Sequence, residues 1–357
     1  MPRSPGRPCI PWLTPTSAAG GNRRALEALA ANIDYQRYQL EGARLTLTAN
    51  IVTTAITQAS LAARIEATEA ILHSQEDQLG LTRERVRLGQ AAPDDELALL
   101  TLAEQTRATI PLLRNQLQQV EHLLAVLAGR APGAGGLPSF SLEEFSLPAV
   151  LPVVVPSELV RARPDIQAAE AILHTANAEY GVAIANLYPQ LNLSANLGSQ
   201  ALTTGALFGS GSAVWSLVGQ LTQPLFAPGL PAKKRAALAA FEAAAANYQN
   251  VVLESLRNVA DVLRALDNDA QRLAALAAAD AAAQASLESM QRRYALGAAS
   301  YIELLVAEQQ SQQTRINLIE ARSRRLINSA ALYQAMGGGR SSAGEDVAMS
   351  SPTDKRE

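Results

Sequence analysis

Two stretches of this chain are too long, as helices, to stand alone. From Asn22 to Leu88 there is no proline, and glycine occurs only at Gly42 and Gly80. From Lys233 to Leu296 there is neither. Alanine, the residue of highest helix propensity, is abundant in both. At about 1.5 Å per residue the first stretch would run roughly 100 Å as a helix. A helix of that length needs packing partners along its course. Gly89 breaks the first stretch, and Pro93 and Asp94 suit the first turn of a following helix that reaches about Ala128. Gly297 breaks the second, and a helix from about Ser300 to Met336 follows.

The two halves are copies of one design. Residues 21–130 and 229–338 correspond at an offset of 208 without gaps. Gly21 lies over Gly229, Leu79 over Leu287, Arg107 over Arg315, Leu124 over Leu332 and Gly129 over Gly337. Each half is a very long helix, a turn and a shorter helix. In the second, Leu256, Val259, Leu263, Leu266, Ala270 and Leu273 step alternately by three and four, the spacing of a coiled-coil seam. Two such hairpins cannot close a ring, so self-association about an axis is expected.

The segment between the copies has another period. A Pro/Gly-rich connection runs from Ala131 to Pro156. A short helical stretch is expected from Ser157, and a helix from Arg163-Pro164-Asp165 to about Asn186. From Tyr180 to Ala232 there is no Asp, Glu, Lys, Arg or His. Leu191 to Leu197 alternates apolar and polar, and so does Trp215 to Thr222 apart from Val218. A Gly/Ser/Thr-rich loop, Ser199 to Ser212, separates them. Alternation gives one apolar and one polar face. Ten-residue uncharged strands are what a transmembrane β-barrel requires. A half-buried soluble hairpin has the same period, but its wet face normally carries charge. The chain is therefore divided into an irregular start (1–20), a first helical hairpin (21–130), a linker (131–160), a helix (161–186), a β-hairpin (187–228), a second helical hairpin (229–338) and a disordered tail (339–357).

Composition narrows the function. The 357 residues include 30 basic and 33 acidic ones, for a net charge of −3, and only 4% are aromatic. No basic stripe with interleaved aromatics exists, which argues against nucleic-acid binding. One cysteine, Cys9, excludes a disulfide framework within the chain. His73, His122 and His174 lack metal-ligand spacing, and no nucleophile–base constellation is visible. No enzymatic activity, metal or cofactor is expected. No apolar run is long enough for a transmembrane helix.

Pro156-Ser157-Glu158-Leu159-Val160-Arg161-Ala162-Arg163-Pro164-Asp165-Ile166 and Asn186-Leu187-Tyr188-Pro189-Gln190-Leu191 carry a resemblance. With Gly21-Asn22-Arg23-Arg24, the element order and the repeat, they resemble the outer-membrane factor family of tripartite (RND-type) efflux systems. These are the TolC-like channels, including NodT-type lipoproteins. The resemblance covers roughly residues 20–338. It implies a mainly α fold of long antiparallel coiled-coil hairpins forming an α-barrel, with strands added to a transmembrane β-barrel. It implies a homotrimer in which each chain gives four strands to one twelve-strand barrel in the outer membrane, with the helices reaching into the periplasm. The implied function is a passive duct that meets a periplasmic adaptor and an inner-membrane pump and exports small molecules such as drugs. The front departs from the family: no signal peptide, no lipobox around Cys9, no first hairpin. Either the true start lies upstream or the chain is a shortened, non-functional remnant. A soluble coiled-coil scaffold is the competing reading.

The resemblance also nominates residues. Leu88, Gly89, Leu296 and Gly297 sit at the helix–turn tips, which in the family touch the adaptor. The glycines alternatively serve only as helix ends with positive φ. Glu303 lies six residues beyond Gly297, where the family has a pore-facing acid, and Asp95 is its repeat equivalent. Three copies would form an acidic ring favouring cations. The alternative is a helix N-terminal carboxylate opposite the macrodipole. Tyr188 and Trp215 are candidate membrane-interface aromatics, whereas Phe226 is expected to pack as an ordinary strand residue.

Overall fold

The computed structural model describes residues 20–133, 135–136, 138–146, 162–199 and 213–338. The stretch at Ser157, most of the loop between the strands, the start before Gly20 and the tail from residue 339 lie outside them. The described elements are α1 (Gly21–Arg87), α2 (Pro93–Leu127), α3 (Pro164–Ala185), β1 (Gln190–Ser199), β2 (Ala213–Thr222), α4 (Gly229–Ala295) and α5 (Tyr301–Ala335). α1 and α4 have 67 residues each, α2 and α5 have 35 each. Both ends of α4 and α5 fall 208 residues beyond the corresponding ends of α1 and α2: Gly229 against Gly21, Ala335 against Leu127.

All four long helices stop in the same way. After α1, Gly89 N–H donates to Val86 O (3.0 Å) and Gln90 N–H to Arg85 O (2.7 Å). After α4, Gly297 N–H donates to Tyr294 O (3.0 Å) and Ala298 N–H to Arg293 O (2.8 Å). The same crossed pair closes α2 at Gly129 and α5 at Gly337. It satisfies carbonyls that the helix leaves open and requires a left-handed residue at the crossing. Gly89 and Gly297 supply it at φ 72° and 71°. α4 begins four residues before the expected Lys233. Pro231 lies in its first turn, where an amide hydrogen would have no intrahelical acceptor, so the proline does not delay the start. Pro111 sits inside α2 without ending it.

The chain divides into two compact units. One joins the described residues up to Leu40 with Pro164–Leu253, and the other joins Glu41–Arg163 with the described residues from Glu254. In the first, α3 buries an alanine-rich face (Ala168, Ala169, Ala171, Ala178). Gly181 lets Arg24 lie against α3, since a Cβ there would come within 3.0 Å of Arg24 Cδ.

In the second unit the long helices pack by heptad seams. In α1, Leu61, Ile65, Thr68, Leu72, Gln75, Leu79, Thr82 and Val86 are buried or half-buried and step alternately by four and three. The matching line in α4 runs from Asp269 through Leu273, Leu276, Asp280, Ala283, Leu287 and Met290 to Tyr294. That is the α1 seam moved by the repeat. Val259 and Leu266 of α4 pack with Leu332, Ala335 and Met336 around the end of α5. Leu79, Leu99 and Tyr301, with Leu100, Tyr294 and Leu305, join both hairpins near their tips. Arg83–Glu96 (2.9 Å), Arg107–Glu76 and Arg114–Glu69 (2.7 Å) ladder α1 to α2. These pairs are exposed and add register more than stability.

The Arg163-Pro164-Asp165 motif is a joint. Arg163 Nη1 donates to Ala335 O at 2.7 Å, at the carbonyl-rich end of α5. Pro164 then opens α3, with Asp165 in its first turn.

Candidate functional site

β1 and β2 pair antiparallel, and their register sorts the side chains by face. Leu191 opposes Leu221, Leu193 opposes Gly219, Ala195 opposes Leu217 and Leu197 opposes Trp215. The alternate pairs include Asn192 with Gln220 and Asn196 with Ser216. Asn196 Nδ2 donates to Ser216 Oγ at 3.4 Å. One face is thus apolar and the other mostly polar. Within the described chain nothing covers the apolar one: Leu197 is 76% exposed and Trp215 75%. A two-stranded ribbon is marginal alone, and bare apolar strands demand a partner or lipid. Tyr188, also exposed, precedes β1. Phe226 does not pack in the strands as expected. It lies in a bend beyond β2 and is 98% exposed, because Pro224 ends the strand two residues earlier.

At the turn of each helical hairpin, Leu88 and Leu296 are exposed beside the two tip glycines. Asp95 and Glu303 occupy the third position of their helices. Glu303 Oε2 accepts from Ser300 N–H at 2.7 Å, and Ser300 Oγ accepts from Glu303 N–H at 3.3 Å, a reciprocal capping box. The Ser300 amide, then its hydroxyl, hold the Glu303 carboxyl below the usual carboxylate range. Asp95 Oδ2 accepts from Ala92 N–H at 3.3 Å, and Ala92 has no side chain to reciprocate. Glu303 is exposed and so stays ionised while it caps.

Sequence reading missed a polar cluster in the seams near these tips. Gln75 is 1% exposed and Glu308 4%. Gln78 Nε2 donates to Glu308 Oε1, joining α1 to α5. Burial pushes the Glu308 carboxyl above its usual range against the opposing hydrogen bond from Gln78, and burial above all pushes the Tyr301 phenol up. The available signal was register: Tyr301, Leu304 and Glu308 step by three and four, which puts an acid on an apolar line. A cavity of about 660 Å³ in the same unit is lined by α1 alanines (Ala59, Ala63, Ala67), by Phe140 and Leu142, and by Glu308 and Arg315. No group of residues that could hold a metal ion occurs among the described residues.

The profile of the outer membrane efflux protein family matches residues 155–338, from the Arg163 joint through the strand pair to the end of α5. The chain belongs to this family. Outer membrane protein OprJ of Pseudomonas aeruginosa is 31% identical over 301 residues, covering 83% of this chain and 62% of OprJ. Cation efflux system protein CusC of Escherichia coli is 31% identical over 240 residues, 66% of this chain and 51% of CusC. The open state of the MtrE outer membrane channel of Neisseria gonorrhoeae superposes with a TM-score of 0.82 at 26% identity, over 92% of this chain and 74% of that one. The efflux-protein fold is TolC-like and mainly helical, and a single strand pair is described in this chain. By family it is an outer-membrane protein. The family is made of channels, not enzymes. The chain spans less than two thirds of OprJ and about half of CusC.

Proposed function

We propose that the chain is one subunit of a passive export duct. Three copies close their helical hairpins into an α-barrel reaching into the periplasm, and their strands enter a shared β-barrel in the outer membrane. The tips at Leu88-Gly89 and Leu296-Gly297 meet a periplasmic adaptor, and an inner-membrane pump supplies the energy. The cargo is small molecules, drugs and toxic compounds among them. Glu303 and Asp95 face the axis near the inner end as a threefold acidic ring while keeping their capping bonds. Tyr188 and Trp215 sit at the membrane interface.

The observation that carries this reading is the strand pair, uncharged throughout, with an apolar face left bare, in a chain that also carries two matched hairpins. Lipid is the solvent that such a face accepts without a protein cover. The exposed leucines at both tips suit a docking surface. The test is extraction and sizing of the full chain. Recovery from the membrane fraction only with detergent, as a trimer that conducts ions in a planar bilayer, is the expected result. A monomer released by plain buffer overturns the reading.

A further inference from the structure

The Gln78–Glu308 contact leaves two acceptors stranded. Gln78 Nε2 donates to Glu308 Oε1, yet Gln78 Oε1 and Glu308 Oε2 are buried with no partner. Among the described residues, Gln78 is the one hydrogen-bond partner of this carboxyl, and no arginine or lysine forms an ion pair with it. Two orphaned acceptors on neighbouring planar groups are costly as they stand. One proton removes both faults. A carboxamide and a carboxylic acid are complementary: the amide N–H donates to one carboxyl oxygen, and the acid O–H donates back to the amide oxygen. We propose that Glu308 is held protonated in the folded chain and closes a two-bond acid–amide clasp with Gln78, tying α1 to α5 until the proton leaves.

The surroundings agree. Tyr301 on α5 is buried with an unpartnered hydroxyl and stays neutral. Tyr294 on α4 and Asp95 on α2 act on the same phenol. Around the cavity stand Glu66 on α1, Glu143 on the connecting segment, and Arg315 and Arg322 on α5. Arg315 forms its ion pair with Asp280 of α4 at 3.5 Å rather than with Glu308. Burial raises the carboxyl's affinity for its proton, more than the hydrogen bond donated by Gln78 lowers it. Glu308 lines the cavity, which gives the proton a route to water. On release, the proton passes to water and leaves a buried carboxylate facing the stranded Gln78 oxygen, so α5 loosens from α1. The clasp needs one protomer only. It goes beyond the export reading and stands or falls separately from it.

The sign follows from linkage. The proton binds the folded chain more tightly than the unfolded one, so the clasp is intact in acid and is lost as pH rises through the raised folded value. Infrared spectroscopy of the full chain at neutral pH should show the C=O stretch of a protonated, hydrogen-bonded carboxylic acid. The band should vanish in Glu308→Gln and move to higher frequency in Gln78→Leu. The wild-type melting temperature should fall more than that of Glu308→Gln as pH rises through the raised folded value. The amide that Glu308→Gln introduces restores both bonds without a proton, which flattens the profile. Absence of the acid band from wild type at neutral pH overturns the proposal. A Glu308→Gln chain that keeps the wild-type slope overturns it too. The band in wild type and its shift in Gln78→Leu decide the matter should Glu308→Gln not fold.

Discussion

Gly337 and Gly80 have opposite demands. Gly337 has φ 88°, and a Cβ there would stand 2.7 Å from Ala162 O and 2.9 Å from Ala162 C. Backbone cannot swing aside as a side-chain end can, so Gly337→Ala meets a clash on top of left-handed strain of about 1–3 kcal/mol. It should also disturb Arg163, whose guanidinium reaches Ala335 O next to that turn. Gly80 lies inside α1, with ordinary helical φ and nothing within 4 Å of its missing Cβ. Gly80→Ala should stabilise by about 0.5–1 kcal/mol, chiefly by restricting the unfolded chain. Thermal melts of the two variants should move in opposite directions. Two melts that both fall would overturn the reading of Gly80 as an unconstrained helical position.

At the scale of elements, stability rests on lines of residues rather than on single contacts. Leu332 is fully buried among Val259, Leu266 and Met336, so Leu332→Ala should cost about 2–5 kcal/mol. Urea unfolding should show that loss in the midpoint with an unchanged slope. Much of this level was legible beforehand. The ends of the long helices were marked by Gly89, Gly129, Gly297 and Gly337, because only glycine takes the left-handed crossing without strain. The strands were marked by alternation and missing charge. What escaped were polar residues on apolar lines. Asp269 accepts from Asn328 Nδ2 at 2.6 Å, and Asp280 accepts from Gln284 Nε2 at 3.2 Å. A search for apolar period passes over such residues, since their partners lie on another helix or another turn. It therefore chose Leu256, which is half-buried, where the neighbouring Ser255 is buried outright. Spacing does not choose between a capping and a pore-facing acid either, because the third helical position is compatible with both and only the capping bonds are read from the structure.

For the whole molecule, one line along α1 carries the proposed assembly. Leu26, Ile33, Leu40 and Leu47 are exposed and seven residues apart. The same register continues through Thr54, Leu61, Thr68, Gln75 and Thr82, all buried. The purely apolar half of the line is the uncovered half, and the half rich in Thr and Gln is covered by this chain's own helices. On the proposed trimeric reading, this bare apolar seam is the surface that meets another copy. Replacing Ile33 and Leu40 together by Asp places two charges in such a seam. Since a buried charge without a partner is expensive, trimer association should weaken by at least about tenfold. Both side chains are exposed in the protomer, so its helicity and melting should change little. Native mass spectrometry in detergent, with circular dichroism on the same samples, reads the two effects separately. A double variant that remains trimeric would show that sister subunits meet elsewhere and that this seam is covered by some other segment.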